Sequence, residues 1–407
     1  MGQEKKRKIF KANLRKRRSV IETYLKQLSR FPHRLSGTTQ DRRASDEIRD
    51  VFGTLGLKTG RECFKVHGHL PFGIAINVLF PLAVFFFLKK PYSLQLIVFA
   101  ACLVSLWGEL TFSFHLFRKV MPAHESCNID CMINTEGDAK KTVVVVAHHD
   151  TPKTGFLYKK KVADRLAPLF RHLPPLLNRI YAPPFLAALG LGAALAFQPL
   201  PWAYQVYIVL STISVFVLCT TLLVTIQWGL SKPSPGANDN GSGILVLLEL
   251  AERFSKKPSP HVSIRLLASG AEEAGFFGIK DYLKRHQELA KPETLFINLD
   301  SVGGGELHWA IGEGHLQHIP YPQPGLEALS DVERRSGMAV LPRMTIMAPT
   351  DAGPLAKKGY KVLTLIGLDN KSIPPNFHKK SDTFDRLDLA TLKRAADIVE
   401  LLIRNSD

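Results

Sequence analysis

A chain of 407 residues, 45% of them hydrophobic, has room for one large domain or two small ones. Its net charge of +17 admits nucleic acid, an anionic membrane surface, or an uneven distribution, and the distribution decides. Residues 1–20 carry nine Lys/Arg, residues 151–184 carry seven against the single acid Asp164, and the remainder is far closer to neutral. No recognition motif accompanies the basic runs, so a nucleic-acid role is set aside in favour of membrane proximity.

The start, MGQEKKRKIFKANLRKRRS, lacks the apolar core of a secretory signal, and Lys6 stands where a myristoylation motif wants Ser or Thr. It reads as a basic arm. Residues 19–31 and 39–55 follow with helical spacing (Val20, Tyr24, Leu28, then Ala44, Ile48, Val51, Leu55), and Gly56 is a stop for the second. The five cysteines (Cys63, Cys102, Cys127, Cys131, Cys219) are odd in number and two lie in apolar runs. They suggest no disulfide framework and favour a reducing compartment, with Cys127 and Cys131 as neighbours on one strand face rather than a metal pair.

Residues 72–88 are wholly apolar apart from Asn77, and 92–114 are broken only by Glu109. A second pair follows at 185–203 and 204–227. About 17–25 apolar residues cross a bilayer, so the expectation is two transmembrane hairpins, with 185–203 short enough to dip rather than cross. Each hairpin returns the chain to the side it left. That side has the basic arm, Arg118, Lys119 and the charges of 151–184, against Lys89 and Lys90 on the other. The positive-inside rule then predicts an integral membrane protein with its remaining domain at the cytoplasmic face.

The resulting division is 1–66 (arm and first helices), 67–122 (hairpin one), 123–155, 156–232 (basic segment and hairpin two) and 233–407. Strands are predicted at 127–134, 142–147, 261–268, 293–299, 306–311, 340–347 and 360–366. Helices are predicted at 241–255, 275–289, 324–336, 351–358 and 387–404. This alternation implies an α/β domain, with a mostly parallel sheet covered by helices on both faces. Continuous runs such as TVVVVA fit buried parallel strands.

Several histidines and carboxylates fall at the ends of these strands. AHHD holds His148, His149 and Asp150; GANDNGSG holds Asp239; ASGAEEAG holds Glu272 and Glu273; INLDSVGGG holds Asp300; FHKKSDT holds His378. Singly each is weak evidence. Together they offer imidazole and carboxylate ligands at one sheet edge, where open α/β sheets place their sites. In the Glu272–Glu273 pair, one carboxylate can bind metal while its neighbour stays free for protons. His149 and His308 read as structural.

The ordered motifs HxD, GAxD, AEE, NLD and the H before SDT resemble the di-zinc aminopeptidase family, which includes aminopeptidase Y, bacterial secreted aminopeptidases, glutamate carboxypeptidase II and glutaminyl cyclase. The resemblance covers the chain outside the hairpins. It implies two co-catalytic zinc ions, with Asp239 bridging them, His148 and Asp300 on one, and Glu273 and His378 on the other. Glu272 is implied as the general base and Asp150 as the carboxylate orienting His148. A peptide would be the substrate, its N-terminal bond cleaved at the membrane. Two departures stand out: 91 positions, hairpin two among them, separate His148 from Asp239, and Ala352 replaces a larger residue of many relatives. Cyclase-like or carboxypeptidase chemistry on the same fold, or an inactive membrane scaffold, are the alternatives.

Overall fold

Val143, Val145 and Ala147 face one side of a strand and Val144 and Val146 the other, and all five are buried. A strand apolar on both sides can sit only in the middle of a sheet covered on both faces. In the computed structural model, which describes residues 21–88, 90–133, 141–159, 161–162, 165, 182–198, 200–314, 316–336 and 340–406, that is its place. The arm 1–20 and nearly all of the basic stretch 160–181 lie outside the described residues.

The strands are β1 (Lys58–His67), β2 (Ala123–Ile133), β3 (Lys141–His148), β4 (Val262–Ser269), β5 (Thr294–Asp300), β6 (Glu306–Glu313), β7 (Ile319–Pro320), β8 (Arg343–Ile346) and β9 (Lys361–Leu368). They form one nine-stranded sheet in the order β1-β2-β4-β3-β5-β9-β6-β7, with β8 pairing β6. The central run β4-β3-β5-β9 is parallel. The flanks are mixed: β1–β2, β2–β4, β6–β9 and β6–β7 are antiparallel, and β6–β8 is parallel. The expected parallel sheet is therefore its centre. β1 and the short β7 were not anticipated, because KTGRECFKVH alternates charge with small residues and lacks an apolar run.

Ten helices are labelled here: α1 (Thr39–Thr54), α2 (Leu70–Phe87), α3 (Tyr92–Leu110), α4 (Ala182–Phe197), α5 (Tyr204–Leu230), α6 (Ser242–Lys256), α7 (Phe277–Arg285), α8 (Gln323–Ser336), α9 (Ala352–Lys357) and α10 (Leu389–Arg404). Residues 21–28 are also helical. Thr38 caps α1 by accepting from the Asp41 amide at 3.3 Å, and Asp388 caps α10 by accepting from Ala390 at 2.9 Å. Ile48 and Phe52 of α1, Ile244 to Phe254 of α6 and Leu392 to Ile403 of α10 cover one sheet face. Ile279 and Tyr282 of α7 and Leu355 of α9 cover the other. Each aliphatic side chain fully withdrawn from water there contributes about 1.5–3 kcal/mol.

α2, α3, α4 and α5 pack together as an apolar bundle continuous with the second core. α2, α3 and α5 are long and apolar enough to cross a membrane; α4, with 16 residues, is shorter. Their outer surface shows Phe87, Ile97, Val104, Ile213, Phe216 and Leu223, a belt water does not favour. Inside, Ser105 Oγ donates to Asn77 Oδ1 at 2.7 Å, and Asn77 Nδ2 to the Gly73 carbonyl at 2.9 Å.

The cysteine expectation is corrected. Cys63 of β1 and Cys127 of β2 are directly paired across the strands and joined by a disulfide, while Cys102, Cys131 and Cys219 are free. With β1 unrecognised as a strand and a hairpin of chain between the two residues, nothing in the spacing brought them together. Alkylation of the denatured oxidised chain is expected to label three thiols, and reduction to free two more. Closing so long a loop stabilises by about 2–4 kcal/mol, so reduction should lower the midpoint of thermal unfolding. Five reactive thiols without reductant would contradict the bond.

Candidate metal centre

The sheet twist and the parallel order bring three strand ends to one edge. His148 is the last residue of β3, Asp300 the last of β5, and Glu272 and Glu273 follow the end of β4. His378 lies in the loop after β9, and Asp239 sits in the turn Ala237–Gly241 that opens α6. The Asp239–Asn240 peptide is cis.

That turn is held from several sides. Asp382 accepts from the amides of Asn238 (2.8 Å) and Asp239 (3.1 Å). The buried guanidinium of Arg34 donates to the carbonyls of His149 (2.7 Å), Pro235 (3.2 Å) and Gly236 (2.7 Å). Gly236 takes φ +65°, and a Cβ there would collide with Thr151. A fixed carboxylate results, aimed by backbone rather than by its own rotamer. Asp150 does the same for the glutamates: its Oδ1 and Oδ2 accept from the amides of Glu272 (3.0 Å) and Glu273 (3.2 Å). It also stands 3.6 Å from His148 Nδ1.

Asp239 lies between the two imidazoles, Oδ1 3.4 Å from His148 Nε2 and Oδ2 3.3 Å from His378 Nε2. His378 Nε2 is also 3.5 Å from Glu273 Oε1, and His148 Nε2 is 4.0 Å from Glu272 Oε2. Donor atoms of His148, Asp239 and Asp300 lie within 4.8 Å of one another, as do those of Asp239, Glu273 and His378. All the sequence candidates for ligands therefore meet, in two triplets sharing Asp239. His149 turns away, its ring between Asp41 (3.2 Å) and the Cys127 carbonyl (2.9 Å), and His308 bonds the nearby Glu306 carbonyl at 2.7 Å.

The spacing fits a cation better than direct hydrogen bonds. Charge-assisted bonds run about 2.7–2.9 Å, whereas two donors on a tetrahedral ion at about 2.0–2.1 Å stand roughly 3.3 Å apart. Among the described residues, Asp239 Oδ2 and His378 Nδ1 are buried without a hydrogen-bond partner. Burial pushes Glu273 up to about 7 and Asp300 up to about 6, and raises Glu272 well above the usual carboxylate range. Burial would lower the imidazoles, but Glu272 outweighs it for His148 and Glu273 for His378, which is raised to about 10. Without a cation the cluster must hold protons; the imidazole and carboxylate donor set suits zinc.

Several supporting residues went unread in the sequence. Asp382 sits inside the SDT motif and Asp351 next to Ala352, and their burial was the missing information. Asp351 accepts from Ser269 Oγ, and burial pushes it up to about 7. Arg118 is wholly buried and both its terminal nitrogens donate to the Ala274 carbonyl at 2.6 Å, beside Glu273. Its Nε lies 3.4 Å from Glu109 at the end of α3. The Arg118→Met variant is expected to lower metal affinity about tenfold through a displaced 272–275 loop, with partial recovery in Arg118→Lys. A metal affinity equal to wild type would contradict this.

Residues 223–403 match the model of peptidase family M28, which spans Asp239, Glu272, Glu273, Asp300 and His378. Among curated proteins the chain is 31% identical over 175 residues to aminopeptidase YwaD of Bacillus subtilis, covering 41% of this chain and 36% of that one. It is 28% identical over 188 residues to the probable lipoprotein aminopeptidase LpqL of Mycobacterium tuberculosis, covering 39% and 37%. The chain thus spans little more than a third of the length of these relatives. Among solved structures, a glutaminyl cyclase from Bacteroides thetaiotaomicron superposes with TM-score 0.54 at 16% identity, covering 95% of this chain and 97% of that one. A Zn-dependent exopeptidase from Parabacteroides distasonis gives 0.52 at 15%, covering 94% and 97%. At these identities the likeness is one of fold.

Proposed function

Because residues 223–403 match the peptidase family M28 model, we propose that the chain is a zinc-dependent aminopeptidase of that family, anchored in a membrane by α2, α3, α4 and α5. The observation that carries the reading is the buried Asp239 carboxylate between His148 and His378, with Glu272 and Glu273 beside it. His148 and Asp300 would hold one zinc ion, His378 and Glu273 a second, and Asp239 would serve both. When bound, such ions would supply Lewis acidity for a carbonyl and lower the pKa of a water.

The rest falls to the chain's own side chains. Glu272 is fixed by its backbone amide on Asp150, and its carboxylate groups with His148 and Glu273 rather than with either triplet that shares Asp239. It would take a proton from the attacking water and pass it to the departing amine. Asp150 thereby positions base and ligand loop together, and orients the His148 ring. The full set of candidate ligands argues against an inactive scaffold.

Leucyl-anilide is expected to be hydrolysed and N-acetyl-leucyl-anilide to resist, since an aminopeptidase needs a free α-amine. Equal cleavage of both would overturn the exopeptidase reading, and cyclisation of N-terminal glutamine would favour the cyclase alternative. Zinc affinity should weaken as pH falls below about 10 and more steeply through about 7 and about 6, because the ion must displace protons from His378, Glu273 and Asp300. Competition with a chelator checks this; a flat profile from pH 8 to 5 would contradict it.

The basic flanks argue for a catalytic domain at the cytoplasmic face of the membrane. The Cys63–Cys127 bond argues the other way, since disulfides persist where thiols are oxidised. Cytoplasmic placement predicts both thiols free when cells are acid-quenched and alkylated before lysis. A protected pair would move the domain to the opposite face.

A further inference from the structure

The roots of the apolar helices border the cluster. A cavity beside Glu273 is walled by His69 and Pro71, at the start of α2, by Trp228, in the last turn of α5, and by Lys153. The chain after Asp150 is stitched to that last turn. Trp228 Nε1 donates to the Lys153 carbonyl at 3.1 Å, the Phe156 amide to Gln227 Oε1 at 2.9 Å, and the Thr154 amide to the Lys232 carbonyl at 3.0 Å. Tyr158 then bridges helix and cluster, its ring 6.0 Å from Trp228 and 4.6 Å from His378.

At the same level the surface is apolar where a water-facing rim would be polar. Phe156, Leu157, Leu230, Val120, Leu116 and Phe114 are all exposed around the helix roots. A tryptophan at a helix end amid such residues marks the headgroup region of a bilayer. The two ring-to-ring steps put His378 on the order of 10 Å from that level, and an extended peptide covers this with about three residues at roughly 3.3 Å each.

We propose that the substrates of this site are membrane-anchored peptides whose N-terminus stands only a few residues clear of the bilayer, with an apolar first side chain against Trp228 and Pro71. This rests on the aminopeptidase reading above. The His148–Asp239 separation in sequence then has a purpose: hairpin two is inserted where its end can form the substrate channel. Long soluble peptides gain nothing from such an arrangement, whereas a peptide stub projecting from the membrane is delivered at the height of the cluster.

The test uses the full chain reconstituted in phosphatidylcholine–phosphatidylglycerol vesicles, and peptides of N-terminal leucine, a polar spacer, and a C-terminal dipalmitoyl anchor in the same vesicles. Released leucine is followed for spacers of three to twenty residues, with soluble leucyl-anilide as reference. The expected result is cleavage of the short-spacer peptides at a rate within threefold of the long-spacer ones, and at least tenfold above the same peptides without the anchor. Anchored peptides cut only with spacers beyond ten residues, while leucyl-anilide is turned over, would overturn the substrate assignment and leave the aminopeptidase reading standing. No turnover of leucyl-anilide would overturn both.

Discussion

The Glu272→Gln variant is expected to lose hydrolysis by about 10²–10⁴-fold in kcat while keeping its full zinc content. Glutamine preserves the size of the side chain and leaves the amide of residue 272 on Asp150 Oδ1, so the loop should not move. It cannot accept a proton at neutral pH. Burial raises the native carboxyl well above its usual range, which suits a group that must both take and return a proton. The measurement is kcat on leucyl-anilide, with zinc per chain determined on the same sample. Retained activity would remove Glu272 from its role; loss of zinc along with activity would make it a ligand instead.

Asp239→Asn is the second large effect, and its signature is the opposite. Its carboxylate stands 3.4 Å from one imidazole and 3.3 Å from the other, and an amide offers only one oxygen acceptor. The turn that carries it is held by Asp382 and Arg34 through backbone atoms, so the fold should survive the change. Zinc content is expected to fall to at most one per chain, and hydrolysis by about 10³-fold or more, as several kcal/mol of transition-state stabilisation is lost. Full zinc content in this variant would contradict a bridging role for Asp239.

Much of this arrangement was legible in the chain. His148, Asp239, Glu272, Glu273, Asp300 and His378 follow strand-like or Gly-rich segments, and a parallel α/β sheet sends such loops to one edge. The strands that carry them are continuous apolar runs, which pattern alone identifies. What escaped depends on tertiary partners. β1 has no apolar run and is a strand because β2 pairs with it, so the Cys63–Cys127 bond was hidden as well. Arg34 reads as one basic residue among many until its guanidinium is seen buried under the Asp239 turn. Arg118 counts as a membrane-flanking charge in the sequence, yet it is buried on the Ala274 carbonyl. Long-range contacts of single polar residues leave no periodicity to read.

The central claim is that the cluster around Asp239 is a functional zinc centre, and metal analysis of the detergent-purified full chain tests it most directly. Zinc per chain is measured together with leucyl-anilide hydrolysis, before chelation, after it, and after zinc is returned. Two zinc ions per chain are expected, with hydrolysis abolished by chelation and recovered on zinc alone. A chain that purifies without zinc, takes up none, and shows no change in hydrolysis on chelation would contradict it.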